Sequence, residues 1–186
     1  MAHFTAEMAK PAKSAQRDHV DRFLETINFV FPDLDLEVEG IVDRIGGISR
    51  RINRTMDETL GEFGLDTAEH KALSALAQAG PPYRSTPGQL ARRMDLSSGA
   101  MTNRLDRLEE AGLIRRLPDP GDRRKVVVEL TDHGRKTYRS AVGAQAQKEA
   151  LFAAALTDRE KAQLNGLLRK LMIEFERREG SRPAGG

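Results

Sequence analysis

The chain has 186 residues, 31% of them charged, a formal net charge of only +2 and no cysteine. That length holds one compact domain or two small ones, and the missing cysteines exclude disulfides, thiol catalysis and thiolate metal sites, in keeping with a reducing cytoplasm. No apolar run approaches the roughly 18–20 residues of a membrane span, and the first residues lack the apolar stretch of a signal peptide, so the expectation is a cytoplasmic protein with no membrane partner.

Residues 1–15 carry no sustained period and read as a disordered tail, with Pro11 breaking what pattern there is. From Gln16 to Phe31, Val20, Phe23, Leu24, Ile27 and Val30 or Phe31 keep helical spacing, and Pro32 stops the helix. The alternating segment PDLDLEVEG reads as a solvated connection and not as a catalytic carboxylate pair. A long helix follows from about Leu36 to Phe63, with Ile41, Ile45, Ile48, Ile52, Met56, Leu60 and Phe63 at steps of three and four. Gly46 and Gly47 weaken its middle, each by about 1 kcal/mol relative to Ala. They permit either a close helix–helix approach or a bend.

Gly64 closes that helix, and Asp66 with Glu69 forms a capping box for another through Leu73, Leu76 and Ala79. Gly80-Pro81-Pro82 stops it. Thr86-Pro87 opens a short helix carrying Leu90, Ala91 and Met94, with Pro at its first position. Ser97 or Ser98 then caps a third helix whose stripe is Met101, Leu105 and Leu108, and Gly112 ends it. Leu113–Leu117 and Lys125–Leu130 are two strands joined by the turn DPGDRR. Thr131 begins a further helix with Tyr138, Val142, Leu151 and Phe152, and Thr157 with Glu160 caps a last one carrying Leu164, Leu167, Leu168, Leu171, Met172 and Phe175. Residues 179–186 read as a second disordered tail.

The fold class expected is mainly α with a small β-hairpin: a winged helix-turn-helix over 64–131, flanked by helices over 16–63 and 132–178. A helix of this size fits a major groove, and a basic hairpin reaches the neighbouring backbone. Ser97, Ser98, Gly99, Thr102, Asn103 and Arg107 are placed towards base edges or phosphates, where Asn suits adenine and Arg suits guanine. Arg123, Arg124 and Lys125 of the turn hold phosphate or enter the minor groove; for Arg123 a salt bridge to Asp119 or Asp122 is the alternative. Between Gly112 and Lys125 five positives (Arg115, Arg116, Arg123, Arg124, Lys125) face two negatives (Asp119, Asp122), a local basic patch on a nearly neutral chain. Arg104 sits at the margin of the apolar stripe and either snorkels over the core or faces a cleft. Both terminal helical segments keep a sticky face, which suggests association with one another and with a second copy.

An enzyme is not expected. His3, His19, His70 and His133 are scattered without metal-ligand spacing, and no Gly-rich phosphate loop or nucleophile elbow occurs. No metal and no cofactor are implied.

LSSGAMTNRLDRLEEAGLIRRLPDPGDRRKVVVELTDHG resembles the DNA-binding core of the multiple-antibiotic-resistance regulator (MarR) family of bacterial repressors, a likeness extending over about residues 17–178. The resemblance implies a homodimer on a palindromic double-stranded operator, with recognition helices roughly 34 Å apart, released by a small ligand. The added N-terminal helix resembles the urate-responsive branch, which holds its ligand with a tryptophan, an aspartate and an arginine. Here the arginine is Arg104, the tryptophan position is Ile27, beside Asn28, and the aspartate position is Lys71. The charge reversal turns the expectation from urate to a multiply charged anion held by Lys71 and Arg104, with Arg44 or Arg51. That is similar to the members that regulate trans-aconitate methyltransferase and respond to citrate, isocitrate or aconitate. The competing readings are a response to urate or another aromatic anion, a winged-helix protein-interaction module without ligand control, and a constitutive architectural DNA binder with no ligand.

Overall fold

The computed structural model describes residues 17–119, 121–122 and 124–180. In chain order they form α1 His19–Val30, α2 Leu36–Gly61, α3 Thr67–Gln78, β1 Arg84–Ser85, α4 Pro87–Arg93, α5 Ser98–Glu110, β2 Ile114–Pro118, β3 Val126–Leu130, α6 Asp132–Ala153 and α7 Asp158–Gly180. The tail expected over 1–15 lies outside the described residues. The one expected over 179–186 is corrected at its start, because Glu179 and Gly180 continue α7. The chain divides into two compact units, one up to Arg54 and one from Thr55.

The first unit holds α1 and most of α2. Asp18 caps α1 by accepting from the Val20 and Asp21 N–H groups, and Asp21 accepts in return from Asp18. Arg44 of α2 binds both carboxylates, at 2.9 Å from Asp18 through Nε and through Nη2 to Asp21. Of the two alternatives at Gly46-Gly47, a close helix–helix approach or a bend, the tighter approach falls at Gly40, where a methyl would lie 3.2 Å from Leu24 Cδ1. At Gly46 and Gly47 a methyl meets nothing nearer than 3.4 Å, and α2 runs through both as one helix.

The second unit buries Leu60, Leu65, Leu73, Leu76, Leu90, Met101, Leu105, Leu108, Ile114, Val128 and Leu130 in one cluster. Each helix around it starts on a side-chain acceptor that satisfies otherwise orphaned N–H groups. Asp66 with Glu69 caps α3, Thr86 with Gln89 caps α4 ahead of Pro87, and Ser97 rather than Ser98 caps α5 by accepting from Ala100. Gly64 and Gly112 close the preceding helices at φ +67° and +69°, where a Cβ is penalised. The sheet has the order β1-β3-β2 and is antiparallel throughout. Its registers pair Arg84 with Glu129 and Glu129 with Arg115, and Ile114 with Leu130. Two strands were expected; the third, β1, is two residues long and too short to show any alternation. Among the described residues no helix is long and apolar enough to cross a membrane.

Candidate nucleic-acid interface

Helix α5 presents two different outer surfaces. Met101, Leu105 and Leu108 are buried, and in the first two turns Ser98, Gly99, Thr102 and Asn103 are exposed. The Thr102 hydroxyl donates to the Ser98 carbonyl at 2.9 Å, and a methyl on Gly99 would meet no protein atom within 4 Å. This half is polar, uncharged and open.

The second half is tied back into the protein. Arg107, expected to face outward, donates Nη2 to Asp66 at 2.6 Å and lies 2.6 Å from Glu69. Arg104 donates Nη1 to the other oxygen of Asp66 at 2.9 Å. Partial burial pushes the Asp66 carboxyl up, but the Glu69 N–H and the two guanidinium groups outweigh it and hold it below the ordinary carboxylate value. The Arg104 margin position thus resolves as an ion pair. Its side chain is 19% exposed, and its Nε is buried without a partner.

The wing spends part of the expected basic patch internally. Arg116 of β2 binds Asp106 and Glu109 of α5, fixing the strand to the helix. Arg115 and Arg84 flank the buried Glu129 carboxylate on β3; burial pushes that carboxyl up, and the two arginines bring it below its ordinary value. Arg124 is 93% exposed and only 3.4 Å from Asp122, with Lys125 at 3.6 Å from the same carboxylate. These contacts are long and solvated, so both cations remain available to phosphate. Arg123 lies outside the described residues.

Of the expected ligand residues, Lys71 lines an open cavity of about 580 Å³ between α3 and α4 with His70, Ser74, Gln78, Arg93 and Asp95. Neither Lys71 nor Arg93 makes an ion pair among the described residues; Arg93 donates to the Gln78 side-chain oxygen. His70 packs against Tyr138 of α6 with ring centroids 5.3 Å apart, and burial lowers its pKa below the usual 6.5. Arg104 is not among the residues lining this cavity. In the first unit Arg44 is neutralised by Asp18 and Asp21, Arg51 is exposed and donates to the Gly47 carbonyl at 3.0 Å, Ile27 is half-buried and Asn28 exposed. Sequence reasoning missed Arg93, which no helical pattern singles out. It also read Asp66 and Glu69 only as a cap, although their spacing puts two carboxylates at one helix start.

Three packed helices, a polar-faced α5 and a hairpin carrying exposed cations define a winged helix-turn-helix DNA-binding domain. The comparisons with known proteins agree. Residues 63–125 match the profile of the MarR family. The chain is 34% identical over 137 residues to the HTH-type transcriptional regulator PecS of Dickeya dadantii, covering 74% of this chain and 82% of that protein. It is 31% identical over 143 residues to the multiple antibiotic resistance protein MarR of Escherichia coli, covering 75% and 96%. The crystal structure of the YusO protein from Bacillus subtilis superposes with a TM-score of 0.68 at 26% identity, over 75% of this chain and 97% of that one. The chain belongs to the MarR family, whose members are transcriptional regulators and not enzymes.

Proposed function

We propose that this protein is a homodimeric repressor that leaves a palindromic operator when a small, multiply charged anion such as citrate, isocitrate or trans-aconitate binds. The observation that carries the ligand class is the pairing of two cations that make no ion pair among the described residues, Lys71 and Arg93, in one cavity where Asp95 is the single carboxylate among the described lining residues. A multiply charged carboxylate would satisfy both, and Ser74 and Gln78 add neutral hydrogen-bonding groups. Release is a population shift: the anion lowers operator affinity only by the difference between its affinities for the DNA-competent and DNA-incompetent states. The dimer reading is supported by Ile41, Ile45, Ile48 and Ile52 on α2 and by the apolar side of α7, all of them exposed in the single chain.

A second reading, an aromatic monoanion, is supported by a smaller cavity of about 260 Å³ with Tyr83, Tyr138, Arg135 and Arg139 among its lining residues. Arg135 lies over the Tyr83 ring at 5.2 Å, and Arg139 makes no ion pair among the described residues. Mobility shifts on operator DNA with citrate, trans-aconitate and urate side by side separate the readings. The expected result is release by citrate and trans-aconitate, with Lys71→Glu keeping its DNA at the same concentrations. Normal release of Lys71→Glu by citrate rejects the Lys71 cavity, and release by urate alone favours the aromatic reading.

A further inference from the structure

Arg107 stands where an outward DNA-reading arginine is expected, yet its guanidinium is occupied by the two carboxylates of the α3 capping box. Those carboxylates are themselves fixed. Asp66 accepts from the Glu69 N–H at 2.7 Å, and Glu69 accepts from the Asp66 N–H at 2.9 Å. The Glu69 side chain is 9% exposed. A single nitrogen, Arg107 Nη2, bridges the two carboxylates, at 2.6 Å from an oxygen of each. Arg104 and Arg107 are three residues apart and share one side of α5, so the recognition helix is tied at two points to the start of α3. Withdrawing Arg107 to reach DNA would leave Glu69 buried without its cation, which opposes the exchange.

We infer that Arg107 is a positioning residue: with Arg104 it clamps α5 to Asp66 and Glu69, and the clamp sets the angle at which Ser98–Asn103 meet the groove. This rests on the reading that α5 is the helix that enters DNA.

The test removes charge while keeping the cap. Asn caps a helix as well as Asp, and Gln serves at the third position as Glu does, so Asp66→Asn/Glu69→Gln breaks the clamp and spares α3. Binding is measured by fluorescence anisotropy, from about 50 to 200 mM salt, on a duplex selected from a random pool by the wild-type protein. The double variant is expected to bind roughly ten-fold more weakly with an unchanged salt slope. Arg107→Gln should do the same, and the combined variant should be no worse than either, because all of them break one clamp. Arg124→Gln, a phosphate contact, should instead reduce the slope by about 0.9. Equal or tighter binding by the double variant, or a slope reduced by about 0.9 in Arg107→Gln, overturns the clamp. Should circular dichroism show α3 melted, Arg107→Gln alone carries the test: weaker binding at an unchanged salt slope supports the clamp, and wild-type binding rejects it. If Asn103→Ala and Arg124→Gln leave both affinity and slope unchanged, the assignment of α5 to the groove fails, and the clamp with it.

Discussion

The carbonyl oxygen of Leu113 occupies the place where a side chain of Gly134 would begin: a methyl on Gly134 would lie 2.0 Å from that oxygen. The contact joins the start of α6 to the start of β2. Thr131 completes it, its N–H and hydroxyl donating to the Leu113 carbonyl at 3.1 Å each while its oxygen accepts from the Gly134 N–H at 2.9 Å. The obstacle is backbone and cannot rotate away. Gly134→Ala is therefore expected to destabilise the fold by about 3 kcal/mol, the upper range for overpacking. Gly143, in the same helix, has open space around it, and Gly143→Ala is expected to stabilise by about 0.5–1 kcal/mol. Urea midpoints of the two variants should move in opposite directions; a shared direction would refute the steric account.

Glu129 carries the sheet's one buried charge among the described residues, and its two arginines come from the strands on either side. Glu129→Gln keeps the shape and one acceptor but removes the charge-assisted bonds, at an expected cost of about 1–2 kcal/mol. Its effect should depend on pH. The carboxyl is held below its ordinary 4.5 in the folded chain, so its contribution is complete above that value and is lost as pH falls through the folded-state value. Wild type and Glu129→Gln should differ in melting temperature at pH 7, and the gap should narrow steadily as pH falls below 4.5. A constant gap across that range would show that the charge is not what matters.

The winged helix was legible because its signals are local. The capping box at Asp66, the Thr86-Pro87 helix start, the 3.6-residue stripe of α5 and the glycines after α2 and α5 each announce an element within a few residues. What stayed hidden depends on long-range pairing. Nothing in sequence spacing tells that Arg107 turns towards Asp66, 41 positions earlier, or that Arg84 and Arg115 share Glu129. A solvent-facing position on a helical wheel says only which side a residue leaves from; a long arginine side chain then finds whichever carboxylate the fold brings near. The strand β1 was invisible for a related reason, since its two residues are defined by their partners on β3.

His70 links acidity to stability in the opposite protonation sense from a paired histidine. Burial against Tyr138 lowers its pKa below 6.5, so below that pH the unfolded chain takes up a proton that the folded chain resists. Stability should therefore fall as pH drops below about 6.5. His70→Phe keeps a ring against Tyr138 and removes the proton site. Its melting temperature should decline less than that of the wild type between pH 7.5 and 5.5, a range chosen to stay above the carboxylates. Parallel curves would mean that His70 is solvated enough to titrate normally.

Helix α7 has 23 residues and buries none of them in the single chain, although Leu164, Leu167, Leu168, Leu171, Met172, Ile173 and Phe175 are all exposed. Seven large apolar groups on one helix are more than a soluble monomer leaves in water. A second copy covering them stabilises both chains at about 25 cal/mol for each Å² of apolar surface removed from solvent. Wild-type protein should sediment at twice the 20.6 kDa chain mass, and Leu168→Glu/Leu171→Glu at that mass. Circular dichroism of the winged helix should change little, because its core draws on neither residue. Operator binding should nevertheless collapse. A lone recognition helix contacts one half-site, and its salt slope should fall to about half that of the dimer, since each subunit contributes the same phosphate contacts. A monomeric variant that kept the full slope would mean that one chain makes all of those contacts, and the two-fold arrangement would have to be abandoned.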